Sequence, residues 1–168
     1  VIEDITGVNL KDLVIASHDS YRIMTMRGDG SGSFSVPPDS SLIMRSGSHP
    51  HTHGLGVGDL NGDGHPDIVT ANNSDNDVSV ALNSGSGSFS LAPGSPYKVS
   101  PSPYPLTIGH VNSDGHLDIV STSTQSASKV VTLLTGNGQG HFSRNDIPLR
   151  TPSAWFVAIG DINNDNVS

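Results

Sequence analysis

Asp59-Leu60-Asn61-Gly62-Asp63-Gly64-His65-Pro66-Asp67 is the stretch on which the fold of this chain turns, and it runs straight into the apolar pair Ile68-Val69. Positions 1, 3 and 5 of the nonapeptide carry oxygen-bearing side chains: Asp59, Asn61 and Asp63. Gly64 allows a sharp bend that turns the His65 carbonyl inward, and Asp67 follows at position 9. A hard dication such as calcium takes about six to eight oxygens, and this spacing delivers carboxylate, amide and carbonyl oxygens from one short loop. Three carboxylates packed this closely repel one another unless a cation lies between them. A helix–loop–helix calcium site does not fit. Its twelfth position requires a bidentate Glu, whereas Thr70 stands there, and the flanking sequence has no helical pattern.

Working outward, the same stretch recurs. EDITGVNLKDLVI (3–15), GDLNGDGHPDIVT (58–70), GHVNSDGHLDIVS (109–121) and GDINNDNVS (160–168) align on Asp4, Asp59, His110 and Asp161, which lie 55, 51 and 51 residues apart. Phe34, Phe89 and Phe142 keep the same beat, each closing a Gly/Ser-rich turn. Within each unit the pattern predicts four strands. One enters the acidic loop (Leu55 to Gly58, Leu106 to Gly109, Trp155 to Gly160), and one leaves it at Asp12, Asp67 or Asp118. A β-branched third strand spans Tyr21–Met26, Val78–Leu82 or Val130–Leu134, and a fourth starts near each Phe after a hairpin turn. Four strands repeating at about fifty residues define a β-propeller blade, which hides its apolar faces only by stacking on neighbours. The expected fold is therefore all-β: four-stranded antiparallel blades, with repeats near 1–48, 49–99, 100–150 and a partial 151–168. Three units and the start of a fourth are too few to close a ring. The expectation is a segment of a longer propeller, completed by its parent chain or by self-association.

Composition agrees. Nineteen Gly and eleven Pro in 168 residues favour short elements joined by turns. The net charge of −8, with no cluster of Lys or Arg, disfavours nucleic acid and suits a protein that holds cations. Cysteine is absent, which removes disulfides and thiolate metal sites. No apolar run is long enough to insert into a membrane, and no signal peptide is evident.

The acidic loops are unequal. In the third repeat Asn112, Asp114, the His116 carbonyl and Asp118 remain as candidate ligands, but His110 replaces the first acid and imidazole is a poor calcium ligand. The fourth repeat offers Asp161, Asn163 and Asp165, with Asn166 where Gly is expected and no ninth position within the sequence. The first keeps Asp4 and Asp12, but Val8 cannot coordinate, and this loop is expected to hold no ion.

GDLNGDGHPDIV, GHVNSDGHLDIV and the Gly-rich turn ending in Phe resemble the FG-GAP/VCBS repeats, which are similar to the calcium-binding blades of integrin α-subunit propellers. That resemblance implies a secreted or cell-surface protein, seven blades in many members, and calcium between the first two strands of a blade. Known roles in the family include adhesion, lectin activity and accessory domains beside polysaccharide-degrading enzymes. His110, Val8 and Asn166 depart from its pattern.

Three further features complete the reading. His53, Tyr104 and Trp155 each lie six residues before the first loop position, so a flat ring recurs at one register and offers a surface for stacking on sugars. His49, His51 and His53 alternate in Ser-His-Pro-His-Thr-His, a candidate zinc or copper site without an assigned fourth ligand. Arg27-Gly28-Asp29 spells an integrin-recognition tripeptide but falls at a strand-joining turn, where turn chemistry explains it. No nucleophile elbow or phosphate loop is present. The expected function is a calcium-stabilised extracellular module binding a glycan or a protein. The alternatives are an accessory or catalytic propeller of a polysaccharide lyase or hydrolase, and a structural subunit of a self-assembling extracellular array.

Overall fold

The computed structural model describes residues 1–125, 127–150 and 154–162. Three antiparallel sheets follow one another along the chain, and among the described residues the sole helical element is a 3-10 turn at Asn73–Asp75. The first blade comprises β1 (Ile2–Glu3), β2 (Asp12–Ala16), β3 (Arg22–Gly28), β4 (Phe34–Ser35) and β5 (Ser41–Ile43). The second comprises β6 (Thr52–Gly58), β7 (Asp67–Asn72), β8 (Asp77–Asn83), β9 (Phe89–Leu91) and β10 (Tyr97–Lys98). The third comprises β11 (Pro103–Gly109), β12 (Asp118–Ser123), β13 (Val130–Gly136) and β14 (Phe142–Pro148). β4 and β5 both pair with β3, and β9 and β10 both pair with β8. Each pair is one outer strand interrupted by a proline-bearing segment, Val36–Ser40 in one case and Ala92–Pro96 in the other, because proline cannot donate to the ladder. β14, free of such a break, pairs with β13 over seven residues. The chain therefore folds as three β-propeller blades of four-stranded pattern.

The second strands leave the acidic loops at Asp12, Asp67 and Asp118, and the outer strands open on Phe34, Phe89 and Phe142, as the repeat predicts. The innermost strands start earlier than expected, at Thr52 and Pro103 instead of Leu55 and Leu106. A bulge lies between His53 and Leu55 and again between Pro103 and Leu106, so Gly54 and Pro105 sit at ladder irregularities and conceal the strand in the sequence. Between Trp155 and Gly160 no strand forms. Ile159 nevertheless lies over Gly109, and the Thr122 hydroxyl donates to the Ala154 carbonyl, which sets this segment against the third blade.

The core lies between blades. Ile5, Val14, Ile23 and Met44 of the first blade pack with Ile68 and Ala81 of the second. Val69, Ala71, Val78 and Val80 pack with Ile119 and Leu134 of the third. β7 and β12 are buried along all six residues, whereas β2, on the first blade, is partly open, with Ile15 exposed. Apolar side chains thus point to both faces of each blade, and burial requires a neighbour on each side.

One carboxylate ties each blade together. Asp12 accepts the Ile5 and Thr6 amides on Oδ2 and the Gly28 amide on Oδ1. Asp67 accepts Leu60 and Asn83 at 2.9 and 2.8 Å, and Asp118 accepts Val111 and Gly136, both at 2.9 Å. In every blade this side chain joins the start of the acidic loop to the end of the third strand. Gly28 and Gly136 are required there, since a Cβ would collide with the Lys11 or Leu117 carbonyl.

Polar contacts also cross from blade to blade. Buried Asp77 receives Arg45 Nε and Nη2 from the first blade, Lys98 Nζ at 3.1 Å and Asn72 Nδ2 at 2.8 Å. Tyr21 donates to Asp75 beside it, and Asn83 Nδ2 reaches back to the Ile5 carbonyl at 2.8 Å.

Asp12→Asn replaces one acceptor oxygen with a donor facing a buried backbone amide, so it should cost about 2 kcal/mol by urea unfolding. The first loop lacks the ligand set of the second. The loss should therefore be the same with calcium and with chelator.

Candidate functional site

The second-repeat loop is coiled around Asp59. Its Oδ1 accepts the Gly62 and Asp63 amides at 2.7 and 3.2 Å, and its Oδ2 accepts Gly64 at 2.9 Å. Asn61 Oδ1 accepts the Asp63 amide at 3.1 Å while its Nδ2 donates to Asp63 Oδ2 at 2.9 Å; Asp63 Oδ1 in turn accepts the His65 amide at 2.8 Å. These bonds join the side chains of positions 1, 3 and 5 in one turn, but Asp59, Asp63 and Asp67 do not bring three carboxylate oxygens within 4.8 Å of one another, and both Asp67 oxygens accept backbone amides. The His65 ring packs over Gly85 of the same blade's hairpin turn, so only its carbonyl is offered to the loop. Burial is the main reason the Asp67 carboxyl is pushed up to about 6; the two backbone amides oppose that shift and the charges of Asp63 and Asp59 add to it. A cation near this carboxyl would favour its ionised form.

The other loops differ in instructive ways. Asp4 wraps the first loop in the same manner, accepting Gly7, Val8 and Asn9 amides, but positions 3 and 5 are Thr6 and Val8. In the third loop Asn112 and Asp114 keep the amide bonds of their counterparts, and His110 Nδ1 donates to the His116 carbonyl at 2.9 Å. That carbonyl was the ligand expected from position 7, and it now accepts an imidazole N–H. Asp161 is described; Asn163, Asp165 and Asn166 lie outside the described residues. The first two loops face each other across an open groove of about 490 Å³ lined by Asp4, Asn9, Asp59 and His65.

A second cluster lies where the innermost strands begin. His53 stacks on Tyr104 with ring centroids 3.8 Å apart at 28°, and Tyr104 lies 5.6 Å from Trp155. The three rings predicted to share a register form one row across successive repeats, and Tyr104 and Trp155 are exposed. His53 carries a further set of contacts: His51 Nε2 is 2.9 Å from its own Nε2, and His18 of the first blade lies edge-on to both rings. Burial first, then the charges of His51 and His18, hold the His53 imidazole below the usual histidine range. The alternation 49-51-53 therefore does not describe the cluster. Pro50 keeps His49 out of the strand, where its Nδ1 meets the Ser48 hydroxyl at 2.9 Å, and His18 takes its place. Nothing in the repeat pattern marks His18; the stacking of one blade on the next brings it in.

Successive sheets with inter-blade cores and a ligand-rich loop between the first two strands of each blade define a repeat segment of the β-propeller class. Family comparison agrees, since the FG-GAP-like repeat matches residues 4–70, 59–121 and 110–168. The chain belongs to the FG-GAP-like repeat family. No curated protein sequence matches it. Among solved structures it is similar to an Agrocybe aegerita lectin described by its specific recognition of non-reducing terminal N-acetylglucosamine, with 20% identity and a TM-score of 0.56. The similarity covers 88% of this chain but 38% of the lectin, so the chain spans well under half of that protein.

Asp67 gives a pH signature. Its folded pKa of about 6 lies above the unfolded value of 3.8, so its contribution to stability is complete below the unfolded value and is lost as pH rises through about 6. In chelator, wild-type unfolding free energy should fall by about 2 kcal/mol from this group between pH 4 and 7. The corresponding slope should be missing from Asp67→Asn, as read by urea titration at each pH.

Proposed function

We propose that this chain is part of a calcium-stabilised, secreted propeller whose exposed ring row binds a glycan. The observation that carries the reading is the row itself: Tyr104 and Trp155 exposed, at one register of successive repeats, with Tyr104 backed by His53. Flat rings held apart from the apolar core suit the C–H faces of pyranose rings, and their polar edges tolerate water. Membership of the FG-GAP-like repeat family and likeness to an N-acetylglucosamine-recognising lectin support a binding module over an enzyme. The first ligand to try is therefore a glycan ending in N-acetylglucosamine.

The donor set of the second loop fits calcium. Asp59, Asn61, Asp63, Asp67 and the His65 carbonyl are the residues that would hold it, all oxygen donors as a hard cation requires. Its part would be structural: Asp59, Asp63 and Asp67 would have their charge balanced, and the loop would be held more firmly against its own hairpin. In the third loop Asn112, Asp114 and Asp118 would form a weaker site, because His110 brings no carboxylate. A propeller larger than this segment, of seven blades as in many FG-GAP proteins, would cover the exposed apolar residues of the first blade, such as Ile2 and Ile15.

Titration of chelated protein with calcium should raise the thermal midpoint, and Asp63→Ala should weaken calcium binding at least tenfold by calorimetry. For the glycan, quenching or shift of the fluorescence of Trp155, the chain's one tryptophan, reports binding directly. Tyr104→Ala should lower affinity for an N-acetylglucosamine-terminated glycan about tenfold, or about 1.4 kcal/mol, at unchanged stability. Equal affinity with reduced stability would show that the rings only wedge the repeats together.

A further inference from the structure

The histidines at the junction of the first two blades form a cluster that neither calcium nor glycan binding requires. His18 sits on the turn between β2 and β3, while His51 and His53 flank Thr52 at the start of β6. One ring nitrogen from each lies within 4.8 Å of the others. In a tetrahedral zinc site with bonds of about 2.0–2.1 Å, ligand nitrogens stand roughly 3.3 Å apart, a spacing bracketed by the 2.9 Å His51–His53 approach and that outer limit. His18 is the exposed member of the set.

Two features show that the three rings are presented rather than merely adjacent. First, their backbones are fixed to one another across the junction. The Thr52 amide donates to the His18 carbonyl at 3.0 Å, the Thr52 hydroxyl to the Ser20 carbonyl at 3.2 Å, and the Asn73 amide to the His51 carbonyl at 2.8 Å. Second, Asp19 Oδ1 lies 2.6 Å from His18 Nδ1. A carboxylate on Nδ1 places the proton there and leaves Nε2 with its lone pair free, the arrangement that orients and strengthens imidazole ligands to metals. His51 and His53 meet through their two Nε2 atoms, so between neutral rings one N–H proton must occupy the gap. A dication would take the place of that proton, which moves to Nδ1 of the same ring, so that both imidazoles bind as neutral ligands with no net proton release.

We propose that His18, His51 and His53 form an inter-blade site for a borderline transition-metal dication of the zinc type, bound by three imidazoles with a fourth position left to water. Nitrogen ligands separate this site from the oxygen-lined loops, so zinc and calcium are sorted by ligand chemistry. The ion would clamp the first blade to the second, and it would fix the face that His53 presents to Tyr104.

The test is calorimetric titration of untagged, chelator-stripped protein with zinc in saturating calcium and without glycan, so that its outcome is independent of the glycan reading. Wild type and His49→Ala should each take up one equivalent and gain thermal stability. His18→Ala and His18→Gln, on an exposed turn where folding is preserved, should bind at least a hundredfold more weakly and lose that gain. Cobalt should give the visible absorption of a nitrogen-ligated tetrahedral ion in wild type and not in His18→Ala. The proposal is overturned if wild type shows no saturable uptake, if zinc binding survives in the His18 variants, or if it disappears in His49→Ala.

Discussion

Each blade depends on a carboxylate whose two oxygens face two different strands. Asp12, Asp67 and Asp118 accept an amide at the entry of the acidic loop with one oxygen and an amide at the end of the third strand with the other. These amides occupy a place where no ladder partner is available, and leaving them buried without an acceptor costs a large share of a small domain's stability. The side chain that closes the blade is also the ninth residue of the candidate calcium loop. An ion bound there acts on a group the fold already needs. Blade integrity and loop chemistry are consequently coupled through one residue per repeat.

Almost everything else of consequence lies between blades. The apolar clusters span neighbouring sheets, and the Arg45–Asp77–Lys98 network joins the first blade to the second. Arg45 and Lys98 bring two positive charges to a carboxylate with no solvent access, and Asn72 supplies a third donor. Such an arrangement contributes registry more than net stability, because desolvating Asp77 and most of Arg45 offsets much of their attraction, while Lys98 stays largely exposed. It fixes the rotation of one sheet on the next, and with it the alignment of His18 opposite His51 and His53. The ring row is likewise a product of stacking, since His53 and Tyr104 come from separate sheets that meet at their innermost strands.

These two scales explain what could be read from the residues alone. Features internal to a repeat were legible: the exit strands at Asp67 and Asp118, the outer strands starting at Phe89 and Phe142, and the register shared by His53, Tyr104 and Trp155. Each leaves a mark every fifty residues or so, and periodicity makes it visible. The start of β6 was not legible, because Gly54 at a bulge imitates a loop. The histidine cluster was misassembled for a different reason. Alternation within one segment suggested His49, whereas the third ring comes from a turn in the preceding repeat with no counterpart in the others. Packing between units writes no periodic signal when only one junction carries it.

The acidic loops themselves show how a repeat can vary the oxygen donors it offers while keeping its shape. The second loop has three acids and a carbonyl, with a carboxyl that burial makes costly to ionise, so its charge is best balanced by a cation. The first loop keeps the backbone wrap around Asp4 but replaces the ligands at positions 3 and 5 by Thr6 and Val8, and Thr6 donates instead to Asp12. In the third, the His110 N–H bridges to the position-7 carbonyl across the loop, joining with a hydrogen bond two points that an ion would otherwise join by coordination. The three loops place the same turn between the same strands, one with a full set of oxygen-bearing side chains and the others with hydrogen bonds to Asp4 and Asp12 or through His110. The ligands offered to an ion can therefore differ from blade to blade, because the fold requires the turn to be closed and leaves open which contacts close it.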